Sequence, residues 1–157
     1  MVTLALVRHA KSDWGDARVS DHDRPLNARG LRDAPEMASR VRAAGLRPDV
    51  IRSSTALRAR TTAEAFGAAL GVAVDLDEEL YGAPADELLA QAAATGAGMV
   101  MIVAHDPGMS VLATRLSGGE IAHMPTCGVA IFTWDTDDWD VATAVDAASF
   151  TFDSPRA

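Results

Sequence analysis

The sequence predicts an α/β fold: a three-layer sandwich with a mostly parallel central sheet and helices on both faces. Three observations lead there. Short apolar runs bounded by turn residues alternate with longer segments whose apolar residues recur at helical spacing. The strongest run, Met99 to Ala104, is apolar throughout, as a central parallel strand covered on both faces would be. Two runs stop abruptly on polar residues, Arg8-His9 and His105-Asp106, which is how an open α/β sheet delivers chemistry to one edge.

The elements follow in order. Leu4 to Val7 reads as a buried strand that hands over to Arg8 and His9, with a polar loop from Lys11 to Asn27 behind it. Leu31, Ala34, Met37, Ala38, Val41 and Ala44 then mark one face of a helix closed by Gly45, with Asn27 or Asp33 as N-cap and Pro35 obscuring its start. Val50-Ile51 is a short second strand. Ser53-Ser54-Thr55 leads into a helix reaching about Leu70 and closed by Gly71, and Val72 to Leu76 reads as the third strand. Pro84 opens a helix whose first turn carries Asp86 and Glu87, where the helix dipole favours negative charge. After the Met99 strand, Pro107-Gly108 starts a helix through Leu116. Val129 to Trp134, Asp135 to Asp140 and the stretch from Val141 onward suggest a hairpin or meander at the sheet edge.

Composition bounds the function. With 157 residues, 48% of them hydrophobic and 23% charged, one domain over 1–157 with a substantial core is the economical reading. No apolar run approaches the roughly 18 residues of a membrane span, and no basic leader precedes the first strand, so a cytoplasmic protein without a membrane partner is expected. The single cysteine, Cys127, excludes an intrachain disulfide and a cysteine-based zinc cluster. A net charge of -8 argues against nucleic acid as a partner. The charge is unevenly spread: residues 1–60 hold 12 of the 14 basic residues against seven acidic, while 61–157 hold two against fifteen. Nearly all those cations are arginines, suited to bidentate capture of a small oxyanion, although Arg32, Arg40, Arg42 and Arg47 read better as solvated helix faces.

Strands ending in His9 and His105 would bring two imidazoles to one edge. A histidine next to an arginine at such a place can attack phosphorus through a neutral ring nitrogen while cations offset the incoming charge. Asp21-His22-Asp23 reads as loop polarity, because adjacent residues seldom converge on a metal; His123 reads the same way. Cys127 lacks a basic neighbour in sequence and is a poor nucleophile. Ser53 and Ser54 either hydrogen-bond near a bound anion or cap the helix that follows. Trp134 and Trp139 read as edge-strand packing.

Several motifs in order resemble the histidine phosphatase, or phosphoglycerate mutase-like, superfamily: Leu6-Val7-Arg8-His9-Ala10, Ser53 to Thr62 with Arg58, and Val103-Ala104-His105-Asp106-Pro107-Gly108. Arg8-His9-Ala10-Lys11-Ser12, Asp23-Arg24-Pro25-Leu26 with Arg29-Gly30, and Met124-Pro125-Thr126 are similar, more closely, to the short phosphohistidine phosphatases of the SixA type. The resemblance spans roughly residues 3 to 134 and implies the phosphoglycerate mutase-like fold. It implies His9 as nucleophile, with Arg8, Arg24, Arg58 and His105 around the phosphate, and no metal or cofactor. Glu78-Glu79-Leu80-Tyr81-Gly82 resembles the segment that supplies a general acid in the longer relatives, which makes Glu78 a candidate acid; a surface carboxylate ahead of a helix is the plain alternative. Cys127 stands where the family often has a glycine whose N–H faces the phosphate.

The implied activity is metal-independent hydrolysis through a phosphohistidine intermediate, acting on a phosphorylated protein or a small phosphorylated molecule. Only about twenty residues separate the third strand from the fourth, too few for a lid, so an open pocket able to admit a protein-borne phosphohistidine is expected. A small-molecule phosphomonoesterase using Glu78 and a non-catalytic phospholigand-binding module are the alternatives.

Overall fold

Six strands form one sheet in the order β3-β2-β4-β1-β5-β6 in a computed structural model that describes residues 1–156. The strands are β1 (Val2–Arg8), β2 (Val50–Ser53), β3 (Val74–Leu76), β4 (Met99–Ala104), β5 (Val129–Trp134) and β6 (Ser149–Asp153). The first four are mutually parallel; β5 runs antiparallel to β1, and β6 antiparallel to β5. The sheet is therefore mostly parallel, as the sequence predicts.

Strand alternation divides the core into two halves. Leu4 and Leu6 of β1, with Val100 and Ile102 of β4, face α3 (Ala85–Ala94), α4 (Gly108–Leu116) and the short α5 (Trp139–Ala142). Ala5, Val7, Met101 and Val103 face α1 (Ala28–Ala43) and α2 (Leu57–Leu70), where Met37 and Phe66 are fully buried. Each such large side chain contributes roughly 1.5–3 kcal/mol of transfer free energy. A strand covered on both faces tolerates polar residues only where it emerges, and β1 and β4 emerge side by side: Arg8 is in register with Ala104.

Local chemistry explains where elements start and stop. Asn27 caps α1, its side chain accepting from the Gly30 N–H at 2.9 Å. Pro35 lies inside α1; the carbonyl it leaves unbonded belongs to the exposed Leu31, within reach of water. Gly30 is obligatory for a different reason, because a Cβ there would sit 2.1 Å from the Lys11 carbonyl oxygen. The first turn of α1 thus presses directly on the segment that leaves His9.

Two expectations need correction. The third strand begins at Val74, not Val72, because the N–H groups of Gly71 and Val72 both close onto the Gly67 carbonyl and belong to the end of α2. The stretch from Val141 is not the return strand. Asp138 caps α5 by accepting from the Asp140 N–H, the Trp139 indole N–H donates to the Ala97 carbonyl at 2.7 Å, and pairing resumes only at Ser149. Among the described residues no helix is long and apolar enough to cross a membrane.

Candidate active site

At the C-terminal edge of β1 and β4 lies a cavity of about 270 Å³ lined by Arg8, His9, Arg24, Arg58 and His105, together with Lys11, Ser12, Trp14, Asp21, Asp106 and Thr126. A wider cleft of about 450 Å³ beside Arg42 and Arg47 contains no histidine. None of Arg32, Arg40, Arg42 and Arg47 lines the histidine cavity.

His9 is 8% exposed and its Nδ1 lies 2.8 Å from the Ala10 carbonyl oxygen. A carbonyl only accepts, so Nδ1 carries the proton and Nε2 keeps its lone pair. Nε2 has no hydrogen-bond partner among the described residues. Burial, reinforced by the charges of Arg58, Arg8 and Arg24 and opposed by the Ala10 bond, pushes the imidazole down to about 4. His9 is therefore uncharged at neutral pH. The turn after it is fixed by Thr62 of α2, whose hydroxyl accepts from the Ala10 N–H at 3.0 Å and donates to the Arg58 carbonyl at 2.8 Å.

His105 stands 5.2 Å from His9, ring centre to ring centre, and is wired the other way. Its Nε2 lies 2.7 Å from Ser54 Oγ, while the buried Nδ1 has no partner among the described residues. Ser54 Oγ already accepts from the Ala56 N–H. The economical pattern has the Ser54 hydroxyl donating to Nε2, which leaves the proton on Nδ1. Burial and the neighbouring His9 hold this imidazole down to about 3. Ser54 thus reaches the site, and by accepting from the Ala56 N–H it closes a turn ahead of α2, whose N-cap Ala56 makes no side-chain cap bond. Ser53 is buried beside it and donates to the Ser54 carbonyl.

The guanidinium groups are held by acceptors of the protein. Arg58 donates to the Asp21 carbonyl at 2.7 Å and to Asp21 Oδ2 at 3.0 Å. Arg24 donates to Asp21 Oδ1, to Ser12 Oγ at 2.6 Å and to the Asp13 carbonyl. Arg8 donates to the Met124 carbonyl at 2.9 Å and lies 3.5 Å from Asp106. The buried Nε groups of Arg8 and Arg58 and Nδ1 of His105 have no hydrogen-bond partner among the described residues.

Asp21 corrects the reading of Asp21-His22-Asp23 as mere loop polarity. Besides the two arginines it accepts from the Tyr81 hydroxyl at 2.5 Å, and that bond, with Arg58 next, pulls its carboxyl down to about 2. The signal in the sequence was its place three residues before Arg24, which a 3-10 turn over Asp21–Asp23 converts into a contact. Sequence reasoning also passed over Ser12, Trp14, Thr62 and Asp106 as site residues. Among the described residues no group of three or more His, Cys, Asp or Glu could hold a metal ion.

Glu78 is exposed on a 3-10 turn after β3 and does not line the cavity. Its neighbour Tyr81 reaches the site instead, edge-on to His105 at 5.5 Å. Cys127 is fully buried in the core behind β1, with φ 58, and its N–H donates to the Arg8 and His9 carbonyls rather than into the cavity. That left-handed backbone is where glycine is favoured. Burial, with the charge of Asp33, pushes the thiol up to about 12, so it is no nucleophile at neutral pH.

Residues 4–83 match the sequence pattern of the histidine phosphatase superfamily (branch 1), and the chain belongs to that superfamily of phosphatases. Within it the chain lies on the SixA-like branch. A structure of a protein assigned as phosphohistidine phosphatase SixA from Nakamurella multipartitia superposes with a TM-score of 0.85 at 31% identity, over 99% of this chain and 97% of that one. A protein with the same assignment from Agrobacterium tumefaciens gives 0.82 at 29% identity, over 98% of each chain. An uncharacterised protein of Mycobacterium tuberculosis is 34% identical over 137 residues, 80% of this chain and 85% of the relative.

Proposed function

We propose that this phosphatase hydrolyses phosphohistidine on a protein, without a metal, through a phosphoramidate on His9. The observation that carries the reading is the fixed tautomer of a buried, uncharged His9 among three arginines. Nε2 attacks phosphorus in line, a nitrogen–phosphorus bond forms, and the bond to the leaving group breaks. Arg8, Arg24, Arg58 and the Nδ1–H of His105 take the charge spread over the equatorial oxygens. Water then attacks the phosphoryl group on the opposite course, releasing inorganic phosphate and neutral His9.

What the cavity does not offer supports this substrate class. Two carboxylates line it. Asp21 is held ionised at neutral pH, and Asp106 has both oxygens committed, accepting from the Ser110 N–H and hydroxyl. Glu78 stands outside. An alkoxide needs a proton from such an acid as it leaves, whereas an imidazole departs already protonated on its other nitrogen. Between β3 and β4 the chain has room only for α3 and a short turn, so that connection supplies no lid over the approach of a protein-borne histidine. The two SixA-assigned neighbours support the same class.

The test compares wild type, His9→Ala and Glu78→Gln on a phosphohistidine protein, an aryl phosphate and sugar phosphates. Wild type is expected to favour phosphohistidine, and Glu78→Gln to match it. His9→Ala should lose about four orders of magnitude or more in kcat, and mass spectrometry of quenched protein should find the phosphoryl adduct only where His9 is present. Preference for sugar phosphates, abolished by Glu78→Gln, would establish the small-molecule phosphomonoesterase in its place. Phosphate binding without turnover of any substrate would establish the binding module.

A further inference from the structure

Arg8 is held in the cavity differently from the other two arginines. Arg24 and Arg58 share a carboxylate, both donating to Asp21. Among the described residues the Arg8 side chain makes one hydrogen bond, to the Met124 carbonyl at 2.9 Å, and its carboxylate neighbour Asp106 stands back at 3.5 Å. These two acceptors come from separate stretches of chain, the turn after β4 and the loop ahead of β5. One side chain ties them together. The Ser110 hydroxyl, in the first turn of α4, donates to Asp106 Oδ2 at 2.8 Å and accepts from the Met124 N–H at 2.9 Å. A hydroxyl has one proton and two lone pairs, so both bonds fit, with His123 Nδ1 3.4 Å away on the remaining side. A closed circuit results: Arg8 to Met124, Met124 to Ser110, Ser110 to Asp106, and Asp106 back to Arg8.

Helix capping does not account for this hydroxyl. The Ser110 N–H already donates to Asp106 Oδ1 at 2.9 Å, which is all that a cap at this end of α4 requires. The hydroxyl adds a second bond to Asp106 and another to a backbone group 14 residues on. Its effect is a fixed relation between the two groups that hold Arg8. An arginine has a long rotatable stem, so the place of its guanidinium depends on acceptors that do not move. We propose that Ser110 is a positioning residue for the phosphatase, whose hydroxyl fixes the Met124 peptide and the Asp106 carboxylate together and so sets the Arg8 guanidinium against the phosphoryl group. The idea rests on the phosphatase reading above in taking Arg8 as a phosphate ligand, and it adds a residue outside the cavity lining on which that ligand depends. Without the hydroxyl, Asp106 Oδ2 loses its donor and is free to take Arg8 instead, drawing the guanidinium away from the phosphate.

The experiment asks whether Ser110 acts through Arg8. Kinetics on an aryl phosphate and calorimetry with inorganic phosphate are measured for wild type, Ser110→Ala, Ser110→Thr, Arg8→Ala and the combination of Ser110→Ala with Arg8→Ala. Alone, Ser110→Ala should lower kcat/KM about five- to tenfold and weaken phosphate binding by a similar factor; added to Arg8→Ala, it should change either by less than about twofold. Ser110→Thr keeps the hydroxyl and should stay within about twofold of wild type. Should Ser110→Ala not fold, Ser110→Cys, which fills the same space with a weak donor, takes its place with the same expected pattern. Losses of equal size with and without Arg8 would show that Ser110 serves the fold alone, and full activity in Ser110→Ala would show that Met124 and Asp106 hold Arg8 unaided; either result overturns the proposal. Phosphate binding is read without turnover, so a wild type that leaves phosphohistidine protein untouched overturns the substrate reading and not the role of Ser110.

Discussion

The ends of β1 and β4 are adjacent, in register and each tipped by a buried histidine, yet they are prepared for different work. At the end of β1 the chain's own carbonyl, one residue on, accepts from the Nδ1–H of His9 and leaves Nε2 with a free lone pair in a cavity lined by three arginines. At the end of β4 a hydroxyl from the start of α2 engages Nε2 of His105 and leaves Nδ1 as an unpartnered donor. Burial keeps both rings uncharged at neutral pH. The difference teaches that which ring nitrogen stays available is set by the backbone or hydroxyl partner of the other, since residue type, depth and strand position are shared.

The strongest way to break this contrast is His105→Ala. If His105 is a donor and His9 the carrier, His105→Ala should lower kcat by about 10²–10³ while the phosphoryl adduct on His9 still forms. Rapid-quench mass spectrometry reads this directly, and an adduct lost as completely as in His9→Ala would make the two histidines one functional unit.

Acid offers the next test. Both imidazoles titrate near 6.5 in the unfolded chain, against about 4 for His9 and about 3 for His105 when folded. The unfolded chain therefore binds more protons through this window. The stability these neutral rings confer is complete above about 6.5 and drains away as pH falls toward 4 and then 3. For His9 the displacement corresponds to roughly 3 kcal/mol. Asp21 adds a loss at still lower pH, between 3.8 and about 2. Urea midpoints measured from pH 8 to pH 4 should fall, with a shallower slope in His9→Ala. The acid limb of kcat/KM, corrected for substrate titration, should lie near 4; a limb near 6.5 would mean an exposed, ordinary His9.

How much of this was legible in the sequence depends on how local each signal is. The two strand ends were, because apolar runs that stop on Arg8-His9 and on His105 announce themselves within a few residues. Arg24 and Arg58 carried weight only through the ordered motifs, since nothing local distinguishes them from the solvated Arg32 or Arg42. Asp21 was hidden by its neighbours: an Asp-His-Asp triplet on a loop looks like solvated polarity, and its partners Arg58 and Tyr81 are 37 and 60 residues away. Glu78 shows the converse, a motif position that the fold turns outward while Tyr81 turns in. Asp21→Asn should accordingly cost about tenfold in kcat/KM, mostly through KM, by loosening Arg24 and Arg58 together. Unchanged kinetics would return Asp21 to loop polarity.

The smallest expected effect is the most specific. Ser54→Ala removes the hydroxyl that fixes the His105 tautomer and the acceptor for the Ala56 N–H, without touching His9. Stability should drop by about 1 kcal/mol. With Nε2 of His105 released, part of the population places its proton there instead of on Nδ1, and kcat should fall about three- to fivefold with KM little changed. NMR of the His105 ring nitrogens in wild type and Ser54→Ala reads the tautomer itself. A tautomer that stays on Nδ1 without Ser54 would mean that the surrounding burial, and not the hydroxyl, distinguishes the end of β4 from that of β1.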